Sequence, residues 1–220
     1  ILLMVKSADY SEKIMPLLAI RVEELRRNLS QLEPEYLVQK SGANYRQHSP
    51  ETGEFELSLW SETIYLTYPG FTMRFKIGGK PPNLAQQALI LYYLQTADGT
   101  PPARKYISFA ELPNGRFYNQ AFQGYTGRAL WRIFQDDHDA FKKVALQNGG
   151  SPVPIGDAAF SFQVLPRVNL LAMMWQGDED FPSSYQILFD ASVSHYLPTD
   201  ACAIAGSMLT QRLIKALKSR

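Results

Sequence analysis

Acidic side chains are concentrated between Gly156 and Asp200, and they are the first residues that could do chemistry. Carboxylate oxygens suit hard cations such as Mg²⁺ and Ca²⁺. The candidate metal ligands are Asp157, Asp178, Glu179 and Asp190. Their order does not match a calcium-binding loop, in which acidic residues alternate before a glycine. A solvated turn at Gly177–Asp180 is the simpler interpretation, since charge after a buried strand discourages edge pairing. The third interpretation is an acidic patch that contacts another protein.

His195 is the residue of this stretch best suited to proton transfer, because imidazole titrates near neutral pH. An isolated histidine is more often structural, so both interpretations stay open. Asp190 follows the apolar residues 187–189, where a carboxylate usually accepts N–H groups of the following turn. A triad of Ser192, His195 and Asp190 is not expected, since residues this close in sequence rarely converge.

A second candidate region interleaves basic and aromatic residues between Arg104 and Tyr125. It could line a pocket for a planar ligand, with aromatic walls and Arg116 as a carboxylate clamp, or simply pack over a sheet. Base stacking is a weaker option, because Lys plus Arg total 22 against 21 Asp plus Glu, and we expect no nucleic-acid partner. The ligand-binding candidates from both regions are Arg104, Arg116, Tyr118, Trp175, Asp178, Glu179, Asp190 and His195.

The composition of the 220 residues excludes several classes of protein. The single cysteine, Cys202, rules out a disulfide scaffold and a cysteine-held iron–sulfur cluster within this chain. No phosphate-binding loop, nucleophile elbow or metalloprotease motif occurs. The apolar start is too short for a signal peptide, and no apolar run reaches the ~18 residues of a membrane span. We therefore expect a cytoplasmic protein without membrane contact, whose cofactor and enzymatic status stay open.

The elements that must position these residues are grouped along the chain. Alternating apolar residues predict a three-strand meander between Phe55 and Ile77, after a first helix that ends near Leu29. Further helices are expected at 34–40, 84–94, 126–134, 137–147 and 199–217, and strands at 105–109, 158–165, 168–175 and 185–189. The strand from Val168 to Trp175 is almost wholly apolar, so we expect it to be central, with Trp175 buried at its end.

This grouping favours an α+β fold: a mixed or antiparallel sheet with flanking helices, and the N-terminal and C-terminal helices packed on it. We expect a single domain over residues 1–220. Two sub-lobes are the alternative, one of helix and meander at 1–80 and one of helices and central strands at 81–220.

Six stretches form a combined pattern: Ala97–Pro101, Tyr106–Pro113, Gly156–Asp157, Trp175–Pro182, Leu188–Ser192 and Tyr196–Asp200. The pattern resembles an uncharacterised family, a domain of unknown function of anaerobic bacteria and archaea, over roughly Leu84 to Leu213 and more loosely over the first strands. That family often stands beside a four-cysteine iron–sulfur module like that of corrinoid iron–sulfur proteins. The resemblance implies a setting in anaerobic one-carbon or corrinoid metabolism, although this chain, with one cysteine, lacks the module. It implies no catalytic residues.

Three functions are consistent with these observations. The favoured one is a module that binds a small molecule or cofactor, or docks on an iron–sulfur or corrinoid redox partner, and it requires a concave site near the candidate regions. A metal-dependent hydrolase or transferase is the first alternative, and it needs at least three of the candidate ligands to converge. A scaffold or assembly subunit is the second, with its terminal helices in a dimer contact.

Overall fold

The structure, a computed structural model, describes residues 8–218, with side chains described from residue 15 onward. The α-helices in this part are α1 (Ala8–Leu29), α2 (Pro34–Ser41), α3 (Leu84–Thr96), α4 (Gly115–Tyr125), α5 (Gly127–Phe134), α6 (His138–Gln147) and α7 (Thr199–Lys218). The strands are β1 (Asn44–Gln47), β2 (Gly53–Leu59), β3 (Glu62–Tyr68), β4 (Met73–Phe75), β5 (Tyr106–Ser108), β6 (Ser151–Val153), β7 (Ala158–Leu165), β8 (Val168–Trp175) and β9 (Ser184–Asp190).

The described residues form two compact units. The first unit contains the chain up to Pro102 together with Gln163–Val168 and Ser192–Ala201. The second unit contains Ala103–Phe162, Asn169–Ala191 and the chain from Cys202 onward. Each unit therefore takes segments from distant parts of the sequence. The expectation of a single domain, or of sub-lobes divided near residue 80, stays a prediction.

The first unit contains an antiparallel meander in the order β1-β2-β3-β4. Alternate residues of β2 are buried, as the sequence pattern predicts, and Phe55 stacks on Phe71 with ring centroids 5.8 Å apart. In the same unit α1 packs against α3. Asn83 caps α3 through a reciprocal pair of hydrogen bonds with Gln86, which satisfies backbone groups that a helix start leaves open.

The second sheet has the order β5-β9-β8-β7-β6, so β8 is the central strand, as predicted. Its β5–β9, β9–β8 and β7–β6 pairs are antiparallel. Helix α7 comes close to β9 and α4 at Gly206, where an added Cβ would lie 2.7 Å from the Phe122 ring and 3.6 Å from Ile187. The α+β prediction is confirmed, and the elements that it names are present.

The short strands β1 and β6 were not predicted, and two further details differ from the sequence-based expectations. Residues 115–125 form a helix, α4, although the sequence showed no helical periodicity there. The periodicity is obscured because aromatic residues such as Phe117 lie on the exposed face of the helix. The prediction that Trp175 is buried is wrong, since its side chain is 46% exposed. Trp175 is the last residue of β8, and the cover over this strand ends at the fully buried Met174. A continuous apolar run does not show where such cover ends.

Within residues 8–218, the helices are too short or too polar to cross a membrane.

Candidate functional site

An open cleft of about 400 Å³ lies in the second unit, at the end of the central strand. Two loops form it: the loop between β8 and β9, and the turn between α5 and α6. The lining residues are Asp136 and His138 from the turn, and Gln176, Gly177, Asp178, Phe181, Pro182 and Ser183 from the loop. Of the predicted ligand-binding residues, Asp178 lines this cleft, and Trp175 directly precedes it in sequence.

The β8–β9 loop is held in shape by its own polar groups. The Oδ1 atom of Asp178 accepts hydrogen bonds from the N–H groups of Asp180 at 3.0 Å and Phe181 at 2.8 Å. This is an Asx turn, a local structure that aspartate and asparagine both form. Position 177 requires glycine because the backbone of the same loop passes close to it. A Cβ at this position would lie 2.6 Å from Phe181 O and Ser183 N. The tight turn expected at Gly177–Asp180 is therefore present, and its shape depends on backbone contacts.

Ser183 stands at the centre of the cleft wall, with 3% of its surface exposed. Its Oγ donates to Asp136 Oδ1 at 2.6 Å and accepts the Gly177 N–H at 2.9 Å. His138 Nε2 lies 3.4 Å from the same Oγ. Because the single hydroxyl proton goes to Asp136, His138 must donate from Nε2 to the remaining lone pair. We call Asp136, His138 and Ser183 the serine cluster.

Two carboxylates, Asp136 and Asp178, line the cleft. Four more lie within three residues of them in the sequence, in the same loops or at the start of α6: Asp137, Asp139, Glu179 and Asp180. Among residues with described side chains, none of these six forms an ion pair. Tyr185, whose hydroxyl donates to Gln135 O at 2.8 Å, has its pKa raised to about 12, first by burial and then by the nearby Asp136 and Asp137. The cleft therefore presents two carboxylates that no described cation neutralises by an ion pair.

A second polar cluster lies in the first unit and contains the predicted residue His195. His195 Nδ1 is 2.6 Å from Asp98 Oδ2 and 3.2 Å from Thr100 Oγ1. The Thr100 N–H donates to Asp98 Oδ1 at 2.9 Å. The bond from His195, followed by the bonds from Thr100, holds the pKa of Asp98 well below its usual range. We call Asp98, Thr100 and His195 the histidine cluster.

Buried groups hold the turn that carries Asp98. The Tyr196 hydroxyl donates to Thr100 O, and its ring stacks on Tyr93 with centroids 5.7 Å apart. Arg167 donates from its guanidinium to Gly99 O at 2.7 Å. The His195 and Asp98 side chains remain 47% and 48% exposed. The His195 imidazole is thus accessible to solvent, while the turn that contacts it is held in place by hydrogen bonds. The Nε2 atom of His195 has no hydrogen-bond partner within the described residues.

The remaining predicted ligand residues do not gather around either cluster. Asp190 is 2% exposed, and its two oxygens accept the N–H groups of Ala103 at 2.9 Å and Arg104 at 2.8 Å. Asp190 therefore caps a segment that comes much earlier in the chain. The expectation that it also accepts N–H groups of the turn after it stays a prediction. Arg116 and Tyr118 lie exposed on α4, and Glu179 lies exposed in the β8–β9 loop.

The candidate metal ligands do not assemble into a site. Within the described part of the chain, no three His, Cys, Asp or Glu side chains are grouped so that they could hold a metal ion. Asp157 instead accepts the Gln176 N–H at 2.7 Å, and Asp178 caps its own loop. The convergence that a metal-dependent hydrolase or transferase requires is not provided by these residues.

Five residues of the two clusters were not predicted from the sequence: Asp98, Thr100, Asp136, His138 and Ser183. Three of them lie outside every recognisable motif, since their grouping depends on the pairing of distant loops. Asp98 and Thr100 had a signal in the sequence, because both lie in the Ala97–Pro101 stretch of the family resemblance. His195 directly precedes a second such stretch, Tyr196–Asp200. The structure joins the two stretches through the hydrogen bond from the Tyr196 hydroxyl to Thr100 O, beside the Asp98–His195 bond.

Comparison with known proteins gives one match. A family model described as a domain of unknown function (DUF3786) matches residues 33–212. The match confirms the expected resemblance to a domain of unknown function and extends it towards the N-terminus, so that it covers most of both units. No curated protein and no solved structure matches the chain.

Proposed function

Since the chain belongs to the DUF3786 family, a domain family of unknown function, its role must be argued from its own residues, and we propose that the second unit binds a small organic cation in the β8–β9 cleft. The observation that carries this proposal is the pair of cleft-lining carboxylates, Asp136 and Asp178, which have no ion-pair partner in the described part of the chain. Closely spaced unpaired carboxylates repel one another, and a bound cation relieves that repulsion.

Two carboxylates in the cleft wall keep one oxygen available. Asp136 uses Oδ1 for Ser183, and Asp178 uses Oδ1 for its turn, so Oδ2 of each has no hydrogen-bond partner among the described residues. An ammonium group placed between them would receive two charge-assisted hydrogen bonds, which are stronger than neutral ones. A compact amine fits this arrangement better than a hydroxyl compound, because the acceptors are charged.

An aromatic side chain adds a second recognition element. Phe181 lines the cleft and is 71% exposed, so one face of its ring is available to a ligand. Aromatic faces attract cations within about 6 Å of the ring centre. The cleft volume of about 400 Å³ lies at the lower end of the range for small-molecule sites, which favours a ligand of few heavy atoms.

The proposed setting of this binding module is anaerobic one-carbon or corrinoid metabolism, and it rests on the family resemblance alone. A cytoplasmic location is a separate proposal. A redox partner that docks here would present a lysine or arginine side chain to the same carboxylates. The free amine is favoured, because the cleft is concave and of small-molecule size.

Isothermal titration with putrescine, and with succinate as the anionic counterpart, tests the proposal. We expect putrescine to bind and succinate not to bind. Asp178→Asn removes the charge but keeps an Asx turn, so it should weaken putrescine binding by about tenfold or more without unfolding the loop. Asp136→Asn should act similarly, because an amide oxygen can still accept from Ser183.

The matched control is Glu51→Gln, which removes an exposed carboxylate from the β1–β2 turn of the first unit. It should leave putrescine affinity unchanged. Equal affinity in Asp178→Asn, Asp136→Asn and the wild type would contradict the proposal, and so would the absence of putrescine binding. Native mass spectrometry of protein purified without oxygen would then show whether a different ligand or a partner is retained.

A further inference from the structure

We propose that His195, oriented by Asp98, is a general base that activates water for the hydrolysis of a small anionic ester. This activity is independent of the cation-binding cleft, because all of its residues belong to the first unit. A general base must have its accepting nitrogen free and its ring held in one orientation. The geometry of the histidine cluster meets both conditions.

The hydrogen bonds fix which nitrogen accepts the proton. Asp98, with its depressed pKa, is ionised at neutral pH and can only accept, so the proton at 2.6 Å belongs to His195 Nδ1. Neutral His195 then carries its lone pair on Nε2, which has no partner among the described residues. A carboxylate behind an imidazole in this way also stabilises the imidazolium that forms during catalysis.

Water is the nucleophile that this arrangement can activate. The Thr100 hydroxyl lies against Nδ1, at 3.2 Å, and therefore on the side of the ring away from the free Nε2 lone pair. Cys202 is buried. A solvent molecule at Nε2, in contrast, needs no rearrangement of the cluster, because the histidine side chain is about half exposed.

Two cationic side chains border the turn that carries Asp98, and they indicate an anionic substrate. Arg167 donates to Gly99 O at 2.7 Å, and the Lys40 Cδ lies 3.6 Å from the position that a Cβ on Gly99 would occupy. Neither cation has a carboxylate partner within the described side chains. A carboxylate or sulfonate on the substrate would be attracted to this edge of the cluster.

The reaction is balanced by His195 alone. Nε2 takes a proton from water as the water oxygen bonds to the ester carbonyl carbon, and the imidazolium is paired with the Asp98 carboxylate. The bond from that carbon to the alcohol oxygen then breaks, and Nε2 returns the proton to the leaving oxygen. One water and one ester give one carboxylic acid and one alcohol.

Hydrolysis of acetoxynitrobenzoate, an anionic activated ester, tests the proposal, with para-nitrophenyl acetate as the neutral counterpart. We expect His195→Gln to lower the protein-dependent rate by about 100-fold, within the range of general-base contributions. Asp98→Asn should lower it by at least about tenfold and should shift its pH profile, since the orienting charge is lost. Lys40→Gln should raise KM for the anionic ester and leave the neutral ester unaffected.

His48→Gln is the matched control, because His48 is an exposed histidine in the β1–β2 turn, outside both clusters. It should retain the full rate. A full rate in His195→Gln would overturn the proposal, and so would a wild-type rate no greater than that of free imidazole at equal concentration. A thermal melt of each variant shows that the measured protein is folded, so that a lost rate is not a lost structure.

Discussion

The serine cluster and the histidine cluster contain the same three kinds of group, a carboxylate, an imidazole and a hydroxyl, but they are bonded in different orders. In the serine cluster the hydroxyl of Ser183 lies in the middle, between Asp136 and His138. In the histidine cluster the imidazole of His195 lies in the middle, with Asp98 and Thr100 both at Nδ1. The first cluster is centred on a buried atom, and the second is half exposed.

This difference shows that residue types do not determine chemistry without the order of their hydrogen bonds. Ser183 gives its proton to a carboxylate and receives two donors, so its lone pairs are fully used and it is no nucleophile. It acts as a wall of the cleft instead. His195 has its proton fixed at one nitrogen and its lone pair at the other, which is the arrangement of a base.

The largest expected effect concerns the backbone that holds the serine cluster. Gly177→Ala should lower the free energy of unfolding by about 2–3 kcal/mol, because the added Cβ meets two backbone atoms at 2.6 Å. In the histidine cluster, Gly99→Ala should cost only about 1 kcal/mol, from its φ of +91° with ordinary contacts. Urea denaturation measures both. Gly70→Ala, whose Cβ has its nearest neighbour at 3.6 Å, is the control, and a Gly177→Ala value equal to it would refute the close packing.

The next largest effect is the difference in stability caused by removing the hydroxyl of each cluster, Ser183 or Thr100. Ser183→Ala removes a buried hydroxyl and leaves the part-buried Gly177 N–H and the Asp136 carboxylate without their partner, so we expect a loss of about 1–2 kcal/mol in unfolding free energy. Thr100→Val removes a more exposed hydroxyl and should cost less than about 0.5 kcal/mol. The same denaturation experiment compares them. Equal losses would show that the two hydroxyls do not differ in burial as described.

A smaller effect on stability is expected from Tyr185, whose hydroxyl donates to Gln135 O next to the serine cluster. Its pKa in the folded protein is raised to about 12, so the phenol is more easily ionised in the unfolded chain. Its contribution to stability is therefore complete below pH 10 and is lost as the pH rises towards 12. Tyr185→Phe should remove this alkaline dependence at a cost of about 1 kcal/mol at neutral pH. Tyrosinate absorbance during alkaline titration measures it, and a titration near pH 10 would contradict it.

The smallest effect is expected from Asp98. Its folded pKa is depressed, so its stabilising bonds are present above its ordinary value of 3.8 and are lost as the pH falls below that value. The difference in melting temperature between the wild type and Asp98→Asn should therefore shrink on acidification below about pH 4. The effect is small because solvent screens this exposed pair. A difference that is constant down to pH 2 would argue against the Asp98–His195 bond.

The fold was largely predictable from the sequence, and the site was only partly so. The Phe55–Leu59 alternation and the Asn83 cap act over a few residues, so they show directly in the sequence. Trp175 was misplaced because the cover over β8 comes from elements far away in the chain. The Asp98–His195 bond joins residues 97 positions apart, and the Asp136–Ser183 bond joins residues 47 apart. No local pattern specifies such pairings.

The tautomers of the two histidines test the contrast between the clusters most directly. Long-range proton–nitrogen NMR correlations of the imidazole rings, recorded above their titration range, distinguish a proton on Nδ1 from a proton on Nε2. The hydrogen-bond orders predict that His195 carries its proton on Nδ1 and His138 on Nε2, with His48→Gln, His138→Gln and His195→Gln used for assignment. The same Nε2–H tautomer at both histidines would contradict the account, since the lone pair of His195 would then lie on Nδ1, facing Asp98, and not on Nε2.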